Sequence, residues 1–366
     1  VLAGDATLRT GDSSGGTITF SGVISESGGS RNLTTYAYTS GGGTAIELTG
    51  LNTYTGTTTV VGGKLMVASD ANLGAGNILL NGGTLNVTGA TTIDNAVAVS
   101  ASSTIQVDAA TTLSGIISGG GNLAKTGSES LTLTGIQTHS GNVILSAGTL
   151  SVASDANLTS GNIVFNGGTL AVTGATTIDN NIAFNVSRSG TIEANAAATL
   201  SGVLSGSGSF IKTGSAELTL TGTQTHSGTT QISAGTLSDA SDANLGSGSI
   251  SLNGGALAIS SATTIDNNII LDAVSAIHTP APVTLSGVIS GGADLTKTGS
   301  SLLLLTNTNT YSGHLIVSAG ELRVTGSTAG AITVSTGSTL SGTGSVGGVT
   351  AQNGATLSPG ASPGSL

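Results

Sequence analysis

A phrase of 85 to 87 residues recurs along this chain, and internal repetition of that kind excludes most folds. SDANL begins at Ser69, Ser154 and Ser241, and TTIDN carries Asp94, Asp179 and Asp266 at the same steps. NGGTL or NGGAL recurs at Asn81, Asn166 and Asn253. LSGIIS, LSGVLS and LSGVIS begin at Leu113, Leu200 and Leu285, with a weaker FSGVIS from Phe20. The first copy is about eight residues longer around NLTTYAYTSGGG, and the excess reads as a loop insertion.

Inside each phrase the apolar residues alternate: LTLTG, TLNVTG, TLAVTG, GTLSVA. Runs of four or five residues bounded by Gly, Asn or Ser are strands and turns. No stretch sustains the i, i+3, i+4, i+7 spacing of a helix. Roughly four coils of about 20 residues fit each phrase, a size usual for stacked repeats. The prediction is an all-β chain wound as a parallel β-helix, a β-solenoid, with coils about 4.8 Å apart.

Composition supports a packed core made of small parts. Mean hydropathy is positive, but aromatic residues are 2% and Trp is absent. A disordered chain would combine low hydropathy with high net charge. The eight Lys and Arg form no basic cluster, so nucleic acid is excluded as a partner. No apolar run reaches the ~20 residues that cross a bilayer as a helix. With no cysteine there are no disulfides and no thiolate metal sites, which suits a chain exported unfolded.

Candidate chemical groups are few. TGIQTHSG around His139 has near-copies around Tyr54, His226 and Tyr311, so one position reads Tyr, His, His, Tyr. Imidazole chemistry does not survive replacement by phenol; a bulky amphipathic side chain at a turn does. Equivalent residues lie about four coils, roughly 19 Å, apart, too far to share a metal or form a carboxylate pair. No metal or other cofactor is expected. His278 and His314 align with unlike residues and read as exposed. GDSSGG, with Ser13 and Ser14, matches a serine-protease nucleophile stretch, but every histidine follows it, and it reads as a turn. The TTIDN aspartates read as turn closers rather than calcium ligands. Lys125, Lys212 and Lys297, in the KTG segments, read as solvated edge charges.

The segment LSGIISGGGNLAKTGSESLTLTGIQTHSGNVILSAGTL from Leu113 resembles the passenger-associated transport repeat of bacterial autotransporters. It returns from Leu200 and Leu285, and in divergent form from Phe20. The resemblance implies a right-handed β-helix, exported to the cell surface or released, and tethered in full length to an outer-membrane barrel. The expected organisation is one passenger segment, residues 1–366, of four units starting near 20, 113, 200 and 285, without signal peptide or barrel.

The expected function is structural and adhesive, without catalysis: association with further copies of itself, or attachment to host matrix or glycan. Tyr54, His139, His226 and Tyr311 mark the candidate contact surface. One alternative is a passive stalk presenting another domain. The other is a polysaccharide-acting β-helix enzyme, disfavoured by few acids and no Trp.

Overall fold

The computed structural model of the protein describes residues 1–10, 16–37 and 44–360. Their regular structure is short strands, with three single 3-10 turns at Asp70–Asn72, Asp155–Asn157 and Asp242–Asn244. Two compact units are present: Val1–Thr173 with Asn180–Ile182, and Gly174–Asp179 with Ala183–Leu366. Each is a parallel β-solenoid, as the repeats predict.

In the first unit three stacks of strands form the faces. The first runs from Ala6–Arg9 to Ile117–Ser118, the second from Gly16–Phe20 through Leu123–Thr126 to Ile163–Phe165. The third runs from Thr91–Ile93 to Thr169–Val172. A single coil is Val97–Ala101, Ser103–Val107 and Thr111–Leu113, one strand per face. The second unit repeats the plan, with one stack running from Thr176–Ile178 to Val349–Ala351 and the next from Thr263–Ile265 to Thr356–Pro359.

Alternation places every second side chain inside. Leu65, Leu85, Ile105, Lys125, Leu145 and Phe165 pair in one inward column, each 20 residues beyond the last. Burying each aliphatic member contributes about 1.5–3 kcal/mol, which lets strands of three to five residues hold. Corners stack just as closely. A Cβ on Gly141 would stand 2.1 Å from the Gly121 carbonyl oxygen, and one on Gly161 2.4 Å from that of Gly141. Only glycine fits such a column, which is why SGN and SGG recur.

The repeat and the coil are out of step. In the first unit, strand Lys64–Val67 lies in the second stack, whereas its repeat equivalent Thr149–Val152 lies in the third. In the second unit, Lys212 lies one stack before its equivalent Lys297. Each repeat is thus four coils and about a third of another. Equivalent residues are not aligned along one face.

In the long first copy, residues 38–43, where the insertion is expected, lie outside the described residues. Residues Leu33–Tyr36 of its NLTTYAYTSGGG segment form a strand, paired with Ala6–Arg9 and with Thr58–Val60. The segment's apolar alternation recruits it into the stack, with Leu33 buried. Ser13 and Ser14 lie outside the described residues.

Candidate functional site: ring turns and buried lysines

The ring turns at Tyr54, His139 and His226 sit where a strand is missing from a face, whereas the Tyr311 turn begins with a two-residue strand, Thr308–Asn309. TGIQTHSG follows strand Ser130–Leu133, and the coil above it carries the 3-10 turn Asp155–Asn157 in the corresponding place. Side-chain amides replace the missing ladder. Gln137 Oε1 accepts the Ile117 N–H, and Gln137 Nε2 donates to the Gly135 carbonyl. Asn52, Gln224 and Asn309 make the same bridge, accepting from Ile24, Leu204 and Ile289. Asn72 and Asn157 brace the 3-10 turns, accepting from the backbone N–H of Ser69 and Ser154.

The ring-bearing side chains point inward, so their expected surface role fails. Tyr54, His226 and Tyr311 are 0% exposed and His139 2%. Phenol and imidazole alike serve as the inward plug of a broken coil. The residue four positions on sets the polar contact. Tyr54 Oη lies 2.5 Å from Thr58 Oγ1, and His226 Nε2 lies 2.8 Å from Thr230 Oγ1. His139 meets Val143 at that position and instead places Nε2 2.6 Å from the Gly121 carbonyl oxygen. Desolvation pushes the His226 imidazole down to about 4 and the Tyr311 phenol up to about 12. A cavity of about 20 Å³ lies beside His139, lined by Leu123, Lys125, Gln137 and Thr159 among others. At His226 that space is taken by Phe184 and Phe210, stacked at 5.7 Å, with the imidazole edge-on to Phe210.

The lysines are the larger correction. Lys125, Lys212 and Lys297 are not solvated edge charges but lie inside, 2%, 0% and 0% exposed. Each ammonium donates to three backbone carbonyls. Lys125 Nζ reaches Thr126, Gly127 and Ala147 at 2.9–3.1 Å. Lys212 reaches Thr213, Gly214 and Ala234, and Lys297 reaches Thr298, Gly299 and Ala319. Three donors meet three acceptors, two on the lysine's own corner and one on the next coil. The amine rivets successive coils together, and desolvation lowers all three to about 8.

Among the described residues, no group of three or more His, Asp or Glu could hold a metal ion. Asp94 and Asp266 lie one coil above Asp70 and Asp242, whose Oδ1 atoms accept their backbone N–H groups. These carboxylates brace turns. His278 is exposed, its Nδ1 3.0 Å from Thr298 Oγ1, and His314 is exposed.

At two of the four ring turns the residue left outside is apolar, whereas beside His226 and Tyr311 it is Thr223 and Thr308. Leu51 and Ile136, each three residues before a ring, are 66% and 68% exposed. Each has a partner one coil below, Val23 at 57% and Ile116 at 48%. These pairs were legible as the third position of TGL and TGI, but nothing in the motif says that the position faces out.

Comparison with known proteins gives this geometry a setting. Residues 123–152, 210–238 and 295–324 match the passenger-associated-transport-repeat family. Each match contains one lysine rivet and one ring turn: Lys125 with His139, Lys212 with His226, Lys297 with Tyr311. The Adhesin BmaC autotransporter of Brucella suis biovar 1 (strain 1330) is 33% identical over 135 residues. The similarity covers 36% of this chain and 4% of that protein, so the chain spans only a small part of its curated relative. No solved structure matches. The repeats and this relative, on strands wound as a parallel solenoid, support an autotransporter passenger domain and indicate export through the outer membrane to the cell surface or secretion.

Proposed function

We propose that this passenger is a non-catalytic adhesive scaffold, tethered in the whole protein to an outer-membrane barrel, that associates with further copies of itself. The exposed pairs Val23–Leu51 and Ile116–Ile136 carry this reading. They occupy equivalent places beside the ring turns, on a surface otherwise dominated by Thr, Ser and Asn. Exposed apolar groups ringed by polar ones are the usual mark of a contact site. The groups that sequence reading put forward for contact, the rings, support it from within by fixing these corners. The relative's name, an adhesin, agrees with the reading.

Sedimentation velocity of the purified chain over a concentration series tests it. Concentration-dependent association, weakened in the double variant Leu51→Ser/Ile136→Ser, is the expected result. A strictly monomeric chain that instead binds matrix proteins or glycans moves the contact to the host. A monomer that binds neither is the passive stalk.

A further inference from the structure

Strand Thr236–Asp239 contains a residue that the repeat does not prepare for. The sequence GTLSDASDANL places Asp239 where its siblings place Val67 and Val152. Those valines are wholly buried, and so is Asp239, at 1% exposure. Its backbone is in regular use: it is level with Ile259 on the next coil, and its carbonyl accepts from Ser260. On the preceding coil the register Leu218–Leu237 and Thr219–Ser238 brings Leu220 level with it. Leu220 and Ile259 are both 0% exposed. The carboxyl group is therefore stacked between two aliphatic side chains, and neither of its oxygens has a hydrogen-bond partner.

No neighbouring charge compensates. The 3-10 turn Asp242–Asn244 packs nearby and contributes another acid, Asp242, which repels a charge on Asp239. Asp266 lies against Asp242 through its backbone N–H. Strand Glu217–Leu220 adds only Glu217, exposed at its far end. Strand Ala256–Ile259 has no titratable residue. The ammonium of Lys212 is committed to three carbonyls, and the buried His226 imidazole is neutral at neutral pH. A carboxylate here lacks water, counter-ion and donors alike, whereas a neutral carboxylic acid loses far less on burial.

We propose that Asp239 makes this part of the second unit an acid-tightened joint: the coils close on the neutral carboxyl group and loosen when it ionises. Burial and Asp242 together push the group up to about 7, which places the change between mildly acidic and neutral surroundings. Because the folded value exceeds the usual 3.8, the folded joint holds a proton that the opened one releases between these limits. The opening equilibrium then shifts about tenfold per pH unit across that window, and acid favours closure.

Native-state hydrogen exchange on the intact chain tests this, with rates corrected for intrinsic pH dependence. The amides of Glu217–Leu220, Thr236–Asp239 and Ala256–Ile259 should open more readily at pH 7.5 than at pH 5. In Asp239→Val, which installs the residue of the sibling repeats, that excess opening should vanish. Asp239→Asn keeps the shape without a titration and should open to the same extent at both pH values. Equal pH dependence in wild type and either variant overturns the proposal.

Discussion

Gly74 lies against the ring of Tyr54: a Cβ at position 74 would stand 2.5 Å from the tyrosine Cε2. The same relationship joins Gly246 to His226 and Gly330 to Tyr311, with would-be contacts of 2.7 and 2.6 Å to the rings. The second repeat breaks it. Thr159 stands where the glycine would be, its Oγ1 donating to the carbonyls of His139 and Gly141. A ring in the usual pose would meet its Cβ. His139 is the smaller ring, it bonds the Gly121 carbonyl instead, and the cavity lies beside it.

His139→Tyr should therefore destabilise the first unit by about 2 kcal/mol, the cost of forcing a larger ring into an occupied space. Thr159→Gly in the same chain should recover most of it. Chemical denaturation of the two single variants and the double variant measures the coupling, and additive effects would show that the two positions are independent.

The cavity beside His139 also predicts a gain. Leu123→Phe places there the residue that Phe210 supplies in the next repeat. Filling about 20 Å³ should add about 0.5 kcal/mol to stability. The denaturant midpoint should rise with an unchanged slope.

The lysine rivets act in two ways. Lys212→Met leaves three carbonyls without their donor and should cost about 3 kcal/mol. In the wild type the folded amine has a value of about 8, below its usual 10.5. Between these the unfolded chain holds the proton that the folded chain has released, so stability rises with pH. Each rivet contributes about 3 kcal/mol across the window. Urea unfolding at pH 7.5 and pH 10 reads this rise, which should shrink in Lys212→Met.

His226 and Asp239 titrate in opposition. The folded imidazole, pushed down to about 4, resists a proton that the unfolded chain takes below 6.5, so its contribution falls as pH falls from 6.5 to 4. Asp239, pushed up to about 7, loses its contribution as pH rises from 3.8 to 7. The shifts amount to about 3 and 4 kcal/mol, so they nearly cancel between pH 4 and 6.5. In global unfolding, which unlike opening of the joint releases both groups, their two contributions should nearly offset there. His226→Tyr should expose a fall with rising pH, and Asp239→Val a rise.

Self-association should strengthen with salt. Three of the eight basic residues are inside, which leaves the surface more acidic than the formal charge of −10 implies. Like charges repel copies at low ionic strength, and screening within about 10 Å at 0.1 M relieves this. Sedimentation at low and physiological salt checks the direction.

The solenoid was legible because repetition and alternation are both written in the sequence. The place of the lysines is written there too, although a charge ordinarily marks a solvated position. In LAKT, FIKT and LTKT the lysine shares parity with Leu123, Phe210 and Leu295, all of which point inward. Alternation taken strictly places the amine inside. Asp239 carried a similar sign, an acid among valines. The ring turns were harder: their side chains enter the core from a segment without strand periodicity, and only the glycine or threonine about 20 residues on decides how each ring sits. The outward Leu51 and Ile136 depend on that same corner geometry.

The third of a coil left over in each repeat has a consequence for neighbours. Within either unit, successive ring turns are presented to successive sides, so a flat partner laid along one side meets the motif once. On the proposed self-association, the apolar corners beside Tyr54 and His139 would meet copies approaching from different sides. Such an arrangement favours a branching mesh of weakly joined chains over a single strong pair.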